Sequence, residues 1–169
     1  MIDAQYVRTM AAYNVWQNKQ LVDYLKVMPF EELTQERGAF FGSIFGTLNH
    51  LLWGDTLWLN RFDPSVLAPE AAMEHSTTLY PTFATWSAQR FRVDGRITLW
   101  AERLKSIDLR GDLTMFSRVL QRDTTKPMGE CVVHFFNHQT HHRGQIHAML
   151  TAAGSDAPVS DLFFMPPVD

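Results

Sequence analysis

Apolar residues recur at three- and four-residue steps in four separate segments of this sequence and alternate at two-residue steps almost nowhere. That spacing lines one face of a helix and cannot line one face of a strand. The clearest run is Phe83, Trp86, Val93, Ile97, Trp100 and Leu104, with Arg90 and Gly95 as its blemishes. A first segment, over residues 3–27, carries Tyr6, Met10, Tyr13, Leu21 and Tyr24, and Pro29 ends it. A second begins at Ser43, a good N-cap residue, and runs to about residue 62. The third opens at Pro81, where proline is tolerated in the first helical turn. The fourth covers about residues 127–153, with Glu130 near its positive end and Gly154 as its stop.

Four long amphipathic helices with scarcely any strand signal predict an all-α four-helix bundle, one domain over residues 1–169. Residues 112–127 have enough β-branched and alternating character for a short hairpin before the last helix. The Pro-bearing connection of roughly eighteen residues after the second helix is long enough to cross the molecule or border a site. The tail cannot be helical through Pro166 and Pro167, and is expected to lie extended, held to the body by Leu162, Phe163 and Phe164.

Net charge is -3, so no basic field points to nucleic acid. Arg90, Arg92, Arg96 and Arg103 share one helix with Asp94 and Glu102 and read as a solvated face. No apolar run approaches the roughly 20 residues of a membrane span. The first ten residues lack the basic and apolar regions of a signal peptide. The single cysteine, Cys131, excludes an internal disulfide and is expected to be buried and structural. A cytoplasmic protein is expected.

Five of the seven histidines fall in the last helix: His134, His138, His141, His142 and His147. At about 100° per residue, His134 and His142 lie about 40° either side of His138, and His141 about 60° away. His147 falls on the far side with Phe136 and Arg143, so Arg143 is expected to be structural or interfacial. Cys131, Phe135, Ile146 and Met149 suggest that the histidine side faces the interior. Two or three buried imidazoles without partners cost about 1–3 kcal/mol each, a cost that a shared metal ion removes. Histidines four apart on a helix have Cβ atoms about 5–6 Å apart, which one cation can bridge. Spacing does not choose between the pairs 134/138 and 138/142. A third ligand must come from elsewhere, and His50 is better placed than His75. Gly46 and Gly54 flank His50 one turn away on each side and leave space for an ion or a close helix.

Other chemistries fit poorly. Gln139 follows His138 where a zincin protease needs a glutamate base. No Glu-x-x-His of the ferritin-like di-iron type occurs. Cys131 lies about 10 Å along the helix from His138, too far for a nucleophile–base pair. Asp55, about 140° from His50, is expected to salt-bridge elsewhere, and Gly144 to allow close helix packing.

The strings "YNVWQNKQL", "NHLLWGD", "NHQTHHRGQ" and "DLFFMP" resemble the DinB/YfiT-like family of metal-dependent enzymes over essentially the whole chain. The resemblance implies an up-down-down-up four-helix bundle, often a homodimer. It matches the family's ligands to His50, His138 and His142, with zinc or nickel as the metal. His134 and His141 then become neighbours of the ligands. It further implies a low-molecular-weight thiol such as bacillithiol or mycothiol, and S-transferase or isomerase chemistry. Three histidines leave one coordination position open, for a thiol or a water. Asn137 and Gln145 are candidate supporting residues. The competing expectations are a non-catalytic metal- or ligand-binding stress protein and a metal-assisted hydrolase.

Overall fold

A computed structural model of the chain describes residues 2–117 and 120–167. Arg118 and Val119 of the expected hairpin, and Val168 and Asp169 of the expected tail, lie outside the described residues. The molecule is mostly helical: α1 (Ala4–Leu25), α2 (Phe30–Thr34), α3 (Ile44–Phe62), α4 (Phe83–Arg103) and α5 (Met128–Ala152). The expected hairpin is present, β1 (Asp112–Ser117) pairing antiparallel with β2 (Arg122–Pro127), Leu113 opposite Lys126. The long helices touch in a closed series, α1 on α4, α4 on α3, α3 on α5 and α5 on α1.

Local chemistry sets the helix ends. Asp3 caps α1 by accepting from the Tyr6 N–H, and Ser43 caps α3 by accepting from the Gly46 N–H. The third helix starts later than expected, because Thr82 and Thr85 form a reciprocal capping box just beyond Pro81. Gly154, with φ of +74°, closes α5 while the Ser155 N–H bonds back to the Leu150 carbonyl. Pro29 does not simply end the first helix; it opens α2, a short helix not expected from the sequence.

The long connection after α3 is not bare chain. It contains a 3-10 helix, Met73–Thr78, packed against α3. With α4, α5, α2 and this 3-10 helix around it, α3 is buried at every position from Ile44 to Asp55. That is why its polar residues must find partners inside the protein.

Three expectations are corrected. Arg90 is not on a solvated face: it is buried, held between carboxylates described below. Gly144 is exposed, and a side chain there would meet nothing within 4 Å, so it serves no close packing. The tail is not held by Leu162, Phe163 and Phe164, all of which are exposed. It is held just upstream, where Tyr13 Oη donates to the Ser160 carbonyl and Gln17 Nε2 to the Val159 carbonyl (2.9 Å). Buried Cys131 is as expected.

Candidate metal centre

Helix α3 presents His50 and α5 presents His138 and His142, one turn apart, to the same point. One ring nitrogen from each lies within 4.8 Å of the other two. The tightest approach is His138 Nε2 to His142 Nε2, 3.1 Å. Ring centroids are 4.9 Å apart for His50 and His142 and 5.5 Å for His50 and His138. The His50 ring is flanked by Phe41, stacked at 3.9 Å, and by Trp53 at 5.8 Å.

The two glycines of α3 explain why the rings can converge. A Cβ on Gly54 would sit 2.7 Å from His138 Cε1, inside any tolerable contact. A Cβ on Gly46 would sit 2.5 Å from the Phe41 carbonyl oxygen, displacing the backbone that carries the ring stacked on His50. The room these glycines leave is thus taken by the His138 ring and by the Phe41 backbone.

Hydrogen bonds set the tautomers. His142 Nδ1 donates to Gln145 Oε1 at 2.7 Å, which leaves the Nε2 lone pair toward His138. His50 Nδ1 lies 2.9 Å from Ser76 Oγ, and donation to that oxygen leaves the His50 Nε2 lone pair free. A partner on the far nitrogen is what orients a metal-binding imidazole. His138 differs: its Nδ1 is buried without a hydrogen-bond partner among the described residues. That ring is positioned by packing against Gly54. Three neutral imidazoles with converging nitrogens, two of them pinned from behind, fit a divalent cation of the zinc type.

The protonation energetics agree. Burial, reinforced by His142, pushes His50 down to about 4. Burial, reinforced by His142 and the other three neighbouring imidazoles, pushes His138 down to about 3. His142 also lies below the ordinary value, burial outweighing the Gln145 hydrogen bond. Unfolded imidazoles titrate near 6.5. Below that pH the unfolded chain binds protons that the folded chain refuses, so this contribution is complete above pH 6.5 and is lost as pH falls through about 4 for His50 and about 3 for His138. The expected loss is at most about 1.4 kcal/mol per pH unit for each of His50 and His138 in metal-free protein, less as solvent screens the rings and each protonation opposes the other. Urea unfolding of chelator-treated protein across this range checks it; a flat profile contradicts it.

The remaining histidines are sorted by exposure. His134 and His141 are exposed, His134 with its ring 4.9 Å from Trp58 and His141 4.9 Å from His142. The expectation that the histidine side of α5 faces the interior holds for His142, buried with Cys131, Phe135, Ile146 and Met149, and for half-buried His138, but not for His134 and His141. The buried residues of α5 taken together, from Cys131 and Met149 round to Phe136, centre the core face about a quarter-turn from His138, and the histidines occupy its edge. His147 is half-buried on the other flank, as expected. His75 is exposed, whereas its neighbour Ser76 is buried on His50. Asn137 is exposed, a quarter-turn from His138. Ser76 and Phe41 were not singled out in the sequence, and nothing in their local spacing marks them.

Behind the centre lies a buried polar network. Arg90 Nη1 is 2.6 Å from Asp55 Oδ2, and Arg90 Nη2 is 2.7 Å from Asp94 Oδ1. Asn18 Nδ2 also donates to Asp94 Oδ1 (2.9 Å), as does Asn14 Nδ2 (3.2 Å). Arg143 in turn donates to Asn14 Oδ1 and lies 5.4 Å over the Tyr13 ring. Two cations and two carboxylates balance, and the four long helices each supply at least one member.

Comparison with known proteins gives the family and the fold. The family model described as the DinB family matches residues 1–167. The chain belongs to the DinB family. It is 28% identical over 152 residues to Protein DinB of Bacillus subtilis (strain 168), covering 88% of this chain and 87% of that one. Its fold resembles a DinB-like protein from Bacillus cereus ATCC 10987, with TM-score 0.60, 20% identity, and coverage of 86% of this chain and 91% of the other. Among the described residues, no helix of this DinB-family chain is long and apolar enough to cross a membrane.

Proposed function

We propose that this DinB-family protein is a metal-dependent enzyme in which His50, His138 and His142 hold one divalent cation, zinc or nickel. The observation that carries the reading is the convergence of three imidazole nitrogens within 4.8 Å, two of them oriented from behind by Ser76 and Gln145. Three protein ligands leave one position of a tetrahedral shell for an exogenous group, the arrangement of catalytic zinc sites. A cation there would lower the pKa of a bound thiol or water.

The chain's own residues define the surroundings of that position. Gln145 orients His142, and Phe41 and Trp53 shield His50. Asn137, exposed beside His138, is available to a substrate and not to the ligands. The reading adopted is use of a low-molecular-weight thiol, in S-transferase or isomerase chemistry, by a cytoplasmic, single-domain, up-down-down-up bundle working as a homodimer. The test is conjugation of a model electrophile with a panel of thiols by zinc- and nickel-loaded protein. Turnover lost at least 100-fold in His138→Ala supports it. Metal-loaded protein inert with every thiol of the panel overturns the thiol reading.

A further inference from the structure

A groove of about 840 Å³ runs between α1 and α4, on a side of the molecule separate from the histidines. Its walls are apolar, with Val15 and Val22 from α1 and Phe91 and Leu99 from α4. Phe91 is 81% exposed and Leu99 57%. Between them on α4, Gly95 is exposed, with open space where a Cβ would stand. Lys19, Arg92 and Arg96 give the groove a positive rim, while Arg90 and Asp94, which also line it, neutralise each other. A second uncovered apolar element is the tail. Phe163 is 90% exposed and Phe164 62%, in the stretch Asp161-Leu162-Phe163-Phe164.

We propose that the α1–α4 groove receives the C-terminal tail of a second copy of this chain, reciprocally, Phe163 and Phe164 entering the apolar floor and Asp161 meeting the basic rim. This names the surface of the homodimer proposed above and rests on that reading for the oligomeric state alone. Charge decides between the two ways a second copy could cover the groove. Laying α4 antiparallel on α4 about Gly95 would pair Phe91 with Leu99 but set Arg92 and Arg96 beside the same residues of the partner. Like charges facing each other across an interface select against that arrangement. The tail brings the opposite sign and the missing aromatic area together. Position decides between the partner's tail and the chain's own. Residues 159 and 160 are strapped to Tyr13, Gln17 and Gln20, which lie roughly opposite Val15, Lys19 and Val22 around α1. The chain's own tail thus leaves on the side of α1 that faces away from its own groove.

Light scattering after size exclusion, on full-length protein with and without metal, tests this. Wild type should run as a dimer. Phe163→Asp with Phe164→Asp, and separately Phe91→Glu, should raise the dimer dissociation constant at least 100-fold, with helical circular dichroism unchanged. Arg96→Glu should weaken the dimer, and adding Asp161→Arg should restore it. A monomeric wild type overturns the proposal, and so does a dimer that Phe91→Glu breaks but the tail substitutions leave intact. Metal content is read on the same samples, so failure of the interface and failure of the histidine centre are separate results.

Discussion

Replacing His50, His138 or His142 singly by alanine is expected to reduce bound zinc from about one per chain to a small fraction. Loss of an outer partner of a metal ligand typically costs 10–100-fold in affinity, so loss of a ligand should exceed about 100-fold. The controls are as informative as the variants. His134→Ala and His141→Ala should keep wild-type metal within a few-fold, because both rings are exposed outside the 4.8 Å cluster. Gly54→Ala should lose affinity by about 10–100-fold with all three ligands retained, because a Cβ there would stand 2.7 Å from His138 Cε1 and drive that ring from its place. The same change should favour the helix by about 1 kcal/mol from propensity alone, which separates a positional effect from unfolding. Elemental analysis, followed by competition with a chromophoric chelator, reads all of these. Full metal occupancy in both His50→Ala and His142→Ala would refute the ligand set.

Asp55→Ala should be among the most destabilising substitutions in this chain. Arg90 is buried with Asp55 at 2.6 Å and Asp94 at 2.7 Å, and removing Asp55 leaves the buried charges unbalanced. Breaking a buried pair by deleting one partner costs about 3–5 kcal/mol. In a chain of this size that lowers Tm by roughly 6–20 °C. The double change Asp55→Leu with Arg90→Met should recover part of the loss, since removing both charges removes the desolvation penalty too. Thermal unfolding of the three proteins decides it. An Asp55→Ala melt within about 2 °C of wild type would show that the network contributes nothing to stability.

The same network explains why the core face of α5 extends further round the helix than its apolar residues indicate. Gln139 and Arg143 lie at the middle of the core side of α5, yet both are polar, so an apolar count rotates the expected core toward Cys131 and Met149 and onto the histidines. Arg90 is the parallel case on α4, where one charge in an apolar stripe looks like a defect. Both arginines are buried because partners answer them: Asp55 on α3 and Asp94 one turn along α4 for Arg90, and Asn14 on α1 for Arg143. Asp55 and Asn14 lie on other helices, and no one-dimensional pattern contains them.

Ser76 illustrates the limit from another direction. It lies 26 positions from His50, in a connection whose visible metal-binding residue was His75. The 3-10 turn exposes His75 and buries its neighbour, and only the path of the chain decides which of the two faces α3. Helix identity, the caps at Ser43 and Gly154 and the short hairpin were legible in the sequence, because they depend on neighbours within a few residues. So was the shared face of His138 and His142, which follows from helical period. That His50 meets that face, which glycine makes room for which ring, and which hydrogen bond orients each imidazole were decided by tertiary structure. Those are contacts between segments far apart in the chain, and their distances are set by how the helices pack.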